Sequence, residues 1–431
     1  MALALVFLGP LATLPTLQEP TPAPHLDAFW RAADEAGRAE AARDVVAAEP
    51  PLEEVLAELR AGRPYAGDVP RGRSFLRHDV RGVSHPAVVL VPEDYDPATR
   101  YPVRLELHGG MGAPPWDPDE GAWDGGWTRA RNQIVVFPAG WRDSMWWQAS
   151  QVDHLERLLA TVGRTWNVDE DRVVVSGTSD GGAAAWFLAL RRPDRFAGYA
   201  GFVAPPDRLV RAEFEPDGQM HVGNLRGQRF FLTFGERDPL VPVKHLRRYL
   251  ALFERHGAVL DTVILPRQRH ELDLPDERMR GFIDFLWGTR RDPCPDEVTW
   301  STEDPARFGR RHWVVVDELG SAPAPTGEDP ELLPRWGTRI QLRGPTVERR
   351  PYGRIRATRR GNRFDVRTEN VAAFRLLLAD GEVDLDRPVT VSVDGEVRFE
   401  GKVEASLGTL LAWAGRDLDR RRLYVAELGL P

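Results

Sequence analysis

Cysteine is nearly absent from this chain, with Cys294 as its one representative. A single thiol can neither close an intramolecular disulfide nor assemble a cysteine-based zinc site, which excludes a disulfide scaffold and a zinc-ribbon architecture. Lysine is almost as scarce: Lys244 and Lys402 are the only two among 57 basic residues. There is no long basic run, and 65 acidic residues bring the net charge to −8, so the electrostatic footprint of a nucleic-acid binder is missing. Long apolar runs are missing too, apart from the uncharged stretch from Met1 to Leu17. Pro10 and Pro15 interrupt that stretch and argue against a lipid-spanning helix, and no other segment approaches the ~20 apolar residues a span needs. Residues 1–20 instead resemble a signal segment, from which a secreted or periplasmic location is the expectation, with a cytoplasmic one as the alternative. No repeat of fixed period is visible, which speaks against solenoids and propellers.

What is present is the composition of an ordinary globular protein, 42% hydrophobic and 28% charged over 431 residues. That length allows two or three domains and a large core. Apolar residues recur at helical spacing within 21–70, around the break at Pro50-Pro51, and predict an N-terminal helical arm. Within 71–292, strand-like runs at 74–80, 85–92, 102–110, 133–138, 171–176, 197–203, 229–234 and 258–265 alternate, from the third onward, with helical patterns near 150–164, 180–191, 242–256 and 276–287. Such alternation predicts an α/β architecture, a mostly parallel sheet flanked by helices. Beyond Pro293-Cys294-Pro295 the pattern becomes short strands at 297–302, 311–319, 338–344, 363–370 and 388–403, giving a small β-rich domain over 295–431. Asp394-Gly395 sits between alternating valines as a tight hairpin turn would. The segment 321–330 reads as an exposed loop, and the arginine-rich stretch 349–367 as a solvated face.

The sharpest chemical feature is Gly177-Thr178-Ser179-Asp180-Gly181, placed directly after the strand-like VVVS and before the helix-forming AAAWFLAL. A turn this abrupt between strand and helix needs small flanking residues and projects the serine into a cleft, as a nucleophile elbow does. A serine hydroxyl is a weak nucleophile at neutral pH and needs a base and a group that orients it. Asp238, after the run 229–234, is the candidate acid, with Glu236 as its nearest rival. His270, just after the last strand, is the candidate base; His221, His245 and His256 occupy less suitable places. An oxyanion would need two N–H donors. One is assigned to Asp180, acting mainly through its N–H, and the other to Gly110 or Met111 in the glycine-rich loop His108-Gly109-Gly110-Met111-Gly112. His108 itself is read as a structural residue at the strand end, and no set of residues at metal-ligand spacing accompanies it.

The runs LELHGG, VDEDRVVVSGTSDGGAAAW, FGERDPLVP and RHEL resemble the α/β-hydrolase superfamily, and within it the esterase branch that includes polyhydroxybutyrate depolymerases, feruloyl esterases and prolyl-oligopeptidase-like proteins. The resemblance covers residues 80 to 290. It implies an α/β-hydrolase sheet and a serine hydrolase that cleaves carboxylic ester bonds through an acyl-enzyme, without metal or organic cofactor. Ser179, Asp238 and His270 fall at the positions of the superfamily's triad. The implied substrate is a small-molecule or polysaccharide-linked ester. A prolyl-oligopeptidase-type peptidase is an alternative, although the chain has no room for an N-terminal propeller; a catalytically silent, hydrolase-like binding protein is another. Trp116, Trp123, Trp127, Trp141, Trp146 and Trp147 crowd the loops after the HGG strand. They either pack those loops or, Trp146 and Trp147 foremost, form a wall for an aromatic or sugar group. Trp300, Trp313, Trp336 and Trp413 could likewise form a carbohydrate platform or fill a sandwich core.

Overall fold

The computed structural model describes residues 24–112, 132–339 and 341–431. The leader-like stretch 1–20 and Trp116, Trp123 and Trp127 lie outside the described residues. The chain enters through three helices, α1 (Asp27–Arg31), α2 (Glu35–Ala48) and α3 (Leu52–Ala61). The Asp34 side chain caps α2 by accepting from the Gly37 N–H, which satisfies one of the donors a helix start leaves open.

Eight strands then form one sheet: β1 (Gly72–Val80), β2 (Val83–Val91), β3 (Tyr101–Leu107), β4 (Ile134–Pro138), β5 (Val168–Thr178), β6 (Gly198–Phe202), β7 (Arg229–Gly235) and β8 (Val259–Leu265). Their spatial order is β1-β2-β4-β3-β5-β6-β7-β8. β2 runs antiparallel to both its neighbours, while β4, β3, β5, β6, β7 and β8 pair parallel in succession. Every residue of the central strands β3 and β4 is buried, whereas the edge strand β1 alternates between half-buried and exposed. This is the difference expected between a strand covered on both faces and one at the rim. The helices α4 (Ala149–Thr165), α5 (Asp180–Arg191), α6 (Val243–Arg255) and α7 (Asp276–Gly288) cover the sheet. From Gly181 to Arg191, α5 is buried on all sides, so its run of alanine, tryptophan, phenylalanine and leucine is dictated by a core position. The chain visits β3, steps outward to β4, and returns to β5 on the other side of β3. Ligand clefts in open α/β sheets form at such a reversal, outside the carboxyl ends of the strands.

The C-terminal residues form two sheets packed around a shared core. One contains Glu297–Thr302, Gly353–Arg360, Arg363–Glu369, Val389–Val393 and Glu396–Gly401; the other contains Arg310–Arg311, Val314–Leu319, Val371–Ala379 and Tyr424–Leu430. Trp300, Trp313 and Trp413 are buried in that core with Phe364 and Leu376, so they do not form an exposed platform. Asp394 and Gly395 both take positive φ, 52° and 89°, as a two-residue hairpin of the favoured hand requires. Three expectations need correction. Residues 338, 339 and 341–344 form no strand, while Gly353–Arg360, Val371–Ala379 and Tyr424–Leu430 are strands the sequence did not announce. The arginine-rich stretch is only partly solvated: Arg354 and Arg359 are buried and ion-paired, with Glu331 at 2.8 Å and Glu382 at 2.7 Å. The N-terminal arm packs α2 against the C-terminal helix Leu407–Asp417, through Ala41, Val45, Leu410 and Ala414.

The two layers of structure are bolted together by buried charge. Arg191, at the last turn of α5, makes a bidentate pair with Glu303 at 2.8 and 2.9 Å, both side chains fully inaccessible. Glu303 also accepts from the Gln219 N–H at 2.9 Å and lies 3.0 Å from His221 Nε2. Burial alone would raise the Glu303 carboxyl, but the Arg191 guanidinium and the His221 hydrogen bond outweigh it and hold the group well below the usual carboxylate range. A second bolt joins Arg291 to Asp171 and to Asp419, each at 2.8 Å.

Candidate active site

β5 ends at Thr178 and α5 begins at Asp180, so the whole reversal is carried by Ser179. Its backbone sits at φ 56°, ψ −115°, a conformation that L-residues avoid and that costs on the order of 1–3 kcal/mol. The neighbours explain why only glycine can flank it. A Cβ on Gly181 would lie 1.9 Å from the Leu107 carbonyl oxygen, and one on Gly177 would lie 2.2 Å from the Gly181 carbonyl oxygen. The Ser179 N–H is held by the Phe202 carbonyl at 2.8 Å, and the next residue, Val203, has φ 46°, which is itself strained for a β-branched side chain. The site is thus braced from behind by β6.

From this elbow a continuous hydrogen-bonded line runs through three of the residues singled out in the sequence. His270 Nε2 lies 2.9 Å from Ser179 Oγ, and His270 Nδ1 lies 2.8 Å from Asp238 Oδ2. The Asp238 side chain is fully buried, while that of His270 remains about a quarter exposed, at 24%. The other Asp238 oxygen accepts from the Leu240 and Val241 N–H groups at 2.8 and 3.0 Å. Burial would raise this carboxyl, yet the His270 hydrogen bond and the two backbone donors outweigh it and keep it below its ordinary value. Glu236, the rival acid, points elsewhere and accepts from the Arg267 N–H at 2.9 Å.

The glycine-rich loop leaves β3 beside the elbow, because Leu107 and Gly177 are paired across β3 and β5. Met111 N–H donates to Asp180 Oδ2 at 3.0 Å. The Asp180 side chain therefore has a role of its own, tying the loop to the start of α5, and Arg208 approaches its other oxygen at 3.5 Å. His108 is a structural pin: its Nδ1 lies 2.8 Å from the Gly109 carbonyl oxygen, its Nε2 accepts from the Gly140 N–H at 3.1 Å, and its carbonyl accepts from Trp146 Nε1 at 3.0 Å. Burial pushes its imidazole below the ordinary histidine value, in keeping with a neutral ring that accepts at Nε2. Trp146 is wholly buried, with its ring edge-on to His108 at 5.1 Å, so in this conformation it supports the loop and offers no surface to a ligand. Trp147 is nearly as buried, but it borders a cleft of about 650 Å³ beside the elbow, together with Met111, Met145, Asp180, Arg208 and Phe214. The sequence carries no signal for Arg208 or for the Leu240 and Val241 donors: the first lies on a short 3-10 helix, Pro206–Val210, and backbone donors carry no residue signature. Among the described residues no group of histidine, cysteine, aspartate and glutamate side chains could hold a metal ion.

Sheet order, elbow and loop together define an α/β-hydrolase. Residues 84–312, just over half of the chain, match the Esterase family, and the chain belongs to it. Among solved structures it is similar to a thermostable esterase, at 18% identity over 51% of this chain and a TM-score of 0.40; the chain spans 63% of that protein's length. Esterase 2 of Thermogutta terrifontis is similar at 17% identity over 50% of this chain and 94% of its own, again with a TM-score of 0.40. A ferulic acid esterase of Anaeromyces mucronatus, solved with ferulic acid, is similar at 16% identity over 53% of this chain and 94% of its own, with a TM-score of 0.40. No curated protein matches the chain.

Proposed function

We propose that this protein hydrolyses carboxylic esters through an acyl-enzyme formed on Ser179. The observation that carries the reading is the unbroken line from Ser179 Oγ through His270 to buried Asp238, starting at a strained elbow. Ser179 Oγ attacks the ester carbonyl carbon while its proton passes to His270 Nε2. Negative charge gathers on the carbonyl oxygen, where the Asp180 N–H at the start of α5 and the Gly110 N–H are the assigned donors. Gly110 is preferred over Met111 because the Met111 N–H is already engaged by the Asp180 carboxylate. As the tetrahedral intermediate collapses, the carbon–oxygen bond to the alcohol breaks and the leaving oxygen takes the proton from His270. Water then attacks the acyl-enzyme, giving its proton to His270, and the acid departs as the proton returns to Ser179. Asp238 holds the imidazole in orientation and stabilises its cationic form throughout.

The cleft beside Met111 and Asp180 is of a size suited to a small-molecule ester or one ester-linked residue of a polysaccharide. A secreted or periplasmic site of action accords with the leader-like 1–20. The test is steady-state turnover of p-nitrophenyl acetate by wild type and by Ser179→Ala, His270→Ala and Asp238→Asn. Each variant is expected to lose at least about a thousandfold in kcat. Retained turnover in Ser179→Ala would remove the acyl-enzyme reading.

A further inference from the structure

The connection between Val314–Leu319 and Gly353–Arg360 belongs to the C-terminal domain by sequence, yet much of it lies on the catalytic layer. The Val222 N–H donates to the Glu331 carbonyl at 2.9 Å, and Leu333 N–H donates to the Met220 carbonyl at 2.8 Å. Further along, Trp336 N–H donates to the Tyr249 hydroxyl of α6 at 2.7 Å, and that hydroxyl in turn lies 3.0 Å from the Pro334 carbonyl. Arg248, also on α6, stacks its guanidinium 4.2 Å from the Trp336 ring centre. The connection is therefore fixed to the helix that follows the Asp238 loop. From it Gln341 reaches that loop: its Nε2 donates to the Leu240 carbonyl at 2.9 Å. Gln341 is itself held in place, since its Oε1 accepts from the Thr338 N–H at 2.7 Å and its carbonyl accepts from the Arg335 guanidinium at 2.7 and 3.0 Å.

The peptide unit that Gln341 grips has the Leu240 carbonyl at one end and the Val241 N–H at the other. That N–H donates to Asp238 Oδ1. A hydrogen bond accepted at the oxygen of an amide polarises the unit and strengthens the bond its N–H donates. An unbroken path of hydrogen bonds thus runs from the C-terminal domain to the serine: Gln341 to Leu240 carbonyl, Val241 N–H to Asp238, Asp238 to His270, His270 to Ser179. We propose that Gln341 is a positioning residue for the catalytic acid, so that the β-rich domain takes part in hydrolysis through the peptide between Leu240 and Val241. This rests on the reading of Ser179, His270 and Asp238 as the reacting line.

The experiment compares the full chain with Gln341→Met, a substitution of similar length that adds no charge and removes the Nε2 donor together with the Oε1 acceptor of the Thr338 N–H, using p-nitrophenyl acetate across neutral and mildly acidic pH. Expected is a fall in kcat of about fivefold to twentyfold with KM little changed. The acid limb of the rate profile should move to lower pH, because a loosened carboxylate supports the imidazolium less. The thermal midpoint should stay within about 2 °C of wild type, as befits a half-buried surface residue. A wild-type kcat with an unmoved acid limb, or a change confined to KM, would overturn the proposal. Ser179→Ala in the same assay separates the two levels. If it still turns over, the reacting line itself is wrong; if it is silent while Gln341→Met behaves as wild type, only the role of Gln341 falls.

Discussion

Ser179 holds a backbone geometry that serine does not choose, and Asp180 does more than follow it. The residue types at this site were legible in the sequence because chemistry constrains them: a serine between obligatory glycines, an acid after β7, a histidine after β8. Their partners were not. That the Asp180 carboxylate would accept from the Met111 N–H, and that Arg208 would approach it from the short helix Pro206–Val210, depends on chain paths that no spacing rule encodes. Trp146 marks the same boundary. Clustered tryptophans suit a ligand wall or a packed loop equally well, and only the burial of Trp146 against His108 and Gly140 separates the two. Trp146→Ala should accordingly cost about 3–5 kcal/mol of stability, seen as a clear drop in thermal midpoint. A variant that unfolds like wild type but binds aryl esters poorly would return Trp146 to the cleft wall.

Among the elements, those of the catalytic layer were readable because buried parallel strands such as VVVS and FFLTF announce themselves as apolar runs between helical patterns. In the C-terminal sheets the signal fails where arginine enters. GRIRATRR is a strand whose Ile355 and Ala357 face the core, while Arg354 and Arg359 are buried through ion pairs that only distant residues supply. Another element-scale feature is a stack of histidines where β1, β2 and α4 meet. His85 and His154 are fully buried with ring centres 4.7 Å apart, and His78 lies 5.4 Å from His154. Burial, and then the neighbouring His85 and His78, push the His154 imidazole down to about 2, and the other two are lowered by burial as well. The unfolded chain takes up protons below about pH 6.5 where the folded chain resists them, so stability is greatest above that pH and falls as pH drops through it. The slope is up to about 1.4 kcal/mol per pH unit for each such histidine. Thermal midpoints measured on either side of that pH should drop less steeply on acidification in His154→Leu than in wild type; equal slopes would show that another group governs the loss.

For the whole molecule, the sequence suggested a catalytic domain over 71–292 followed by a small β-rich domain over 295–431. Two further sheets do begin at Glu297, but composition is blind to contacts between residues a hundred positions apart. Glu303 of the β-rich part sits against the far end of the helix whose near end carries Ser179, and the N-terminal arm rests on the C-terminal helix. Glu303→Ala would leave Arg191 buried without its counter-ion and should destabilise the protein by about 3–5 kcal/mol, measurable by urea unfolding. A change below about 0.5 kcal/mol, the range of ordinary surface substitutions, would mean that the bolt contributes little. The line from Ser179 to Asp238 can be tested covalently. Purified protein would be treated with a fluorophosphonate probe and its intact mass read beside Ser179→Ala. One adduct is expected on wild type, located at Ser179, and none on the variant. Folded wild type that takes no label, or a variant labelled to the same extent, would contradict it.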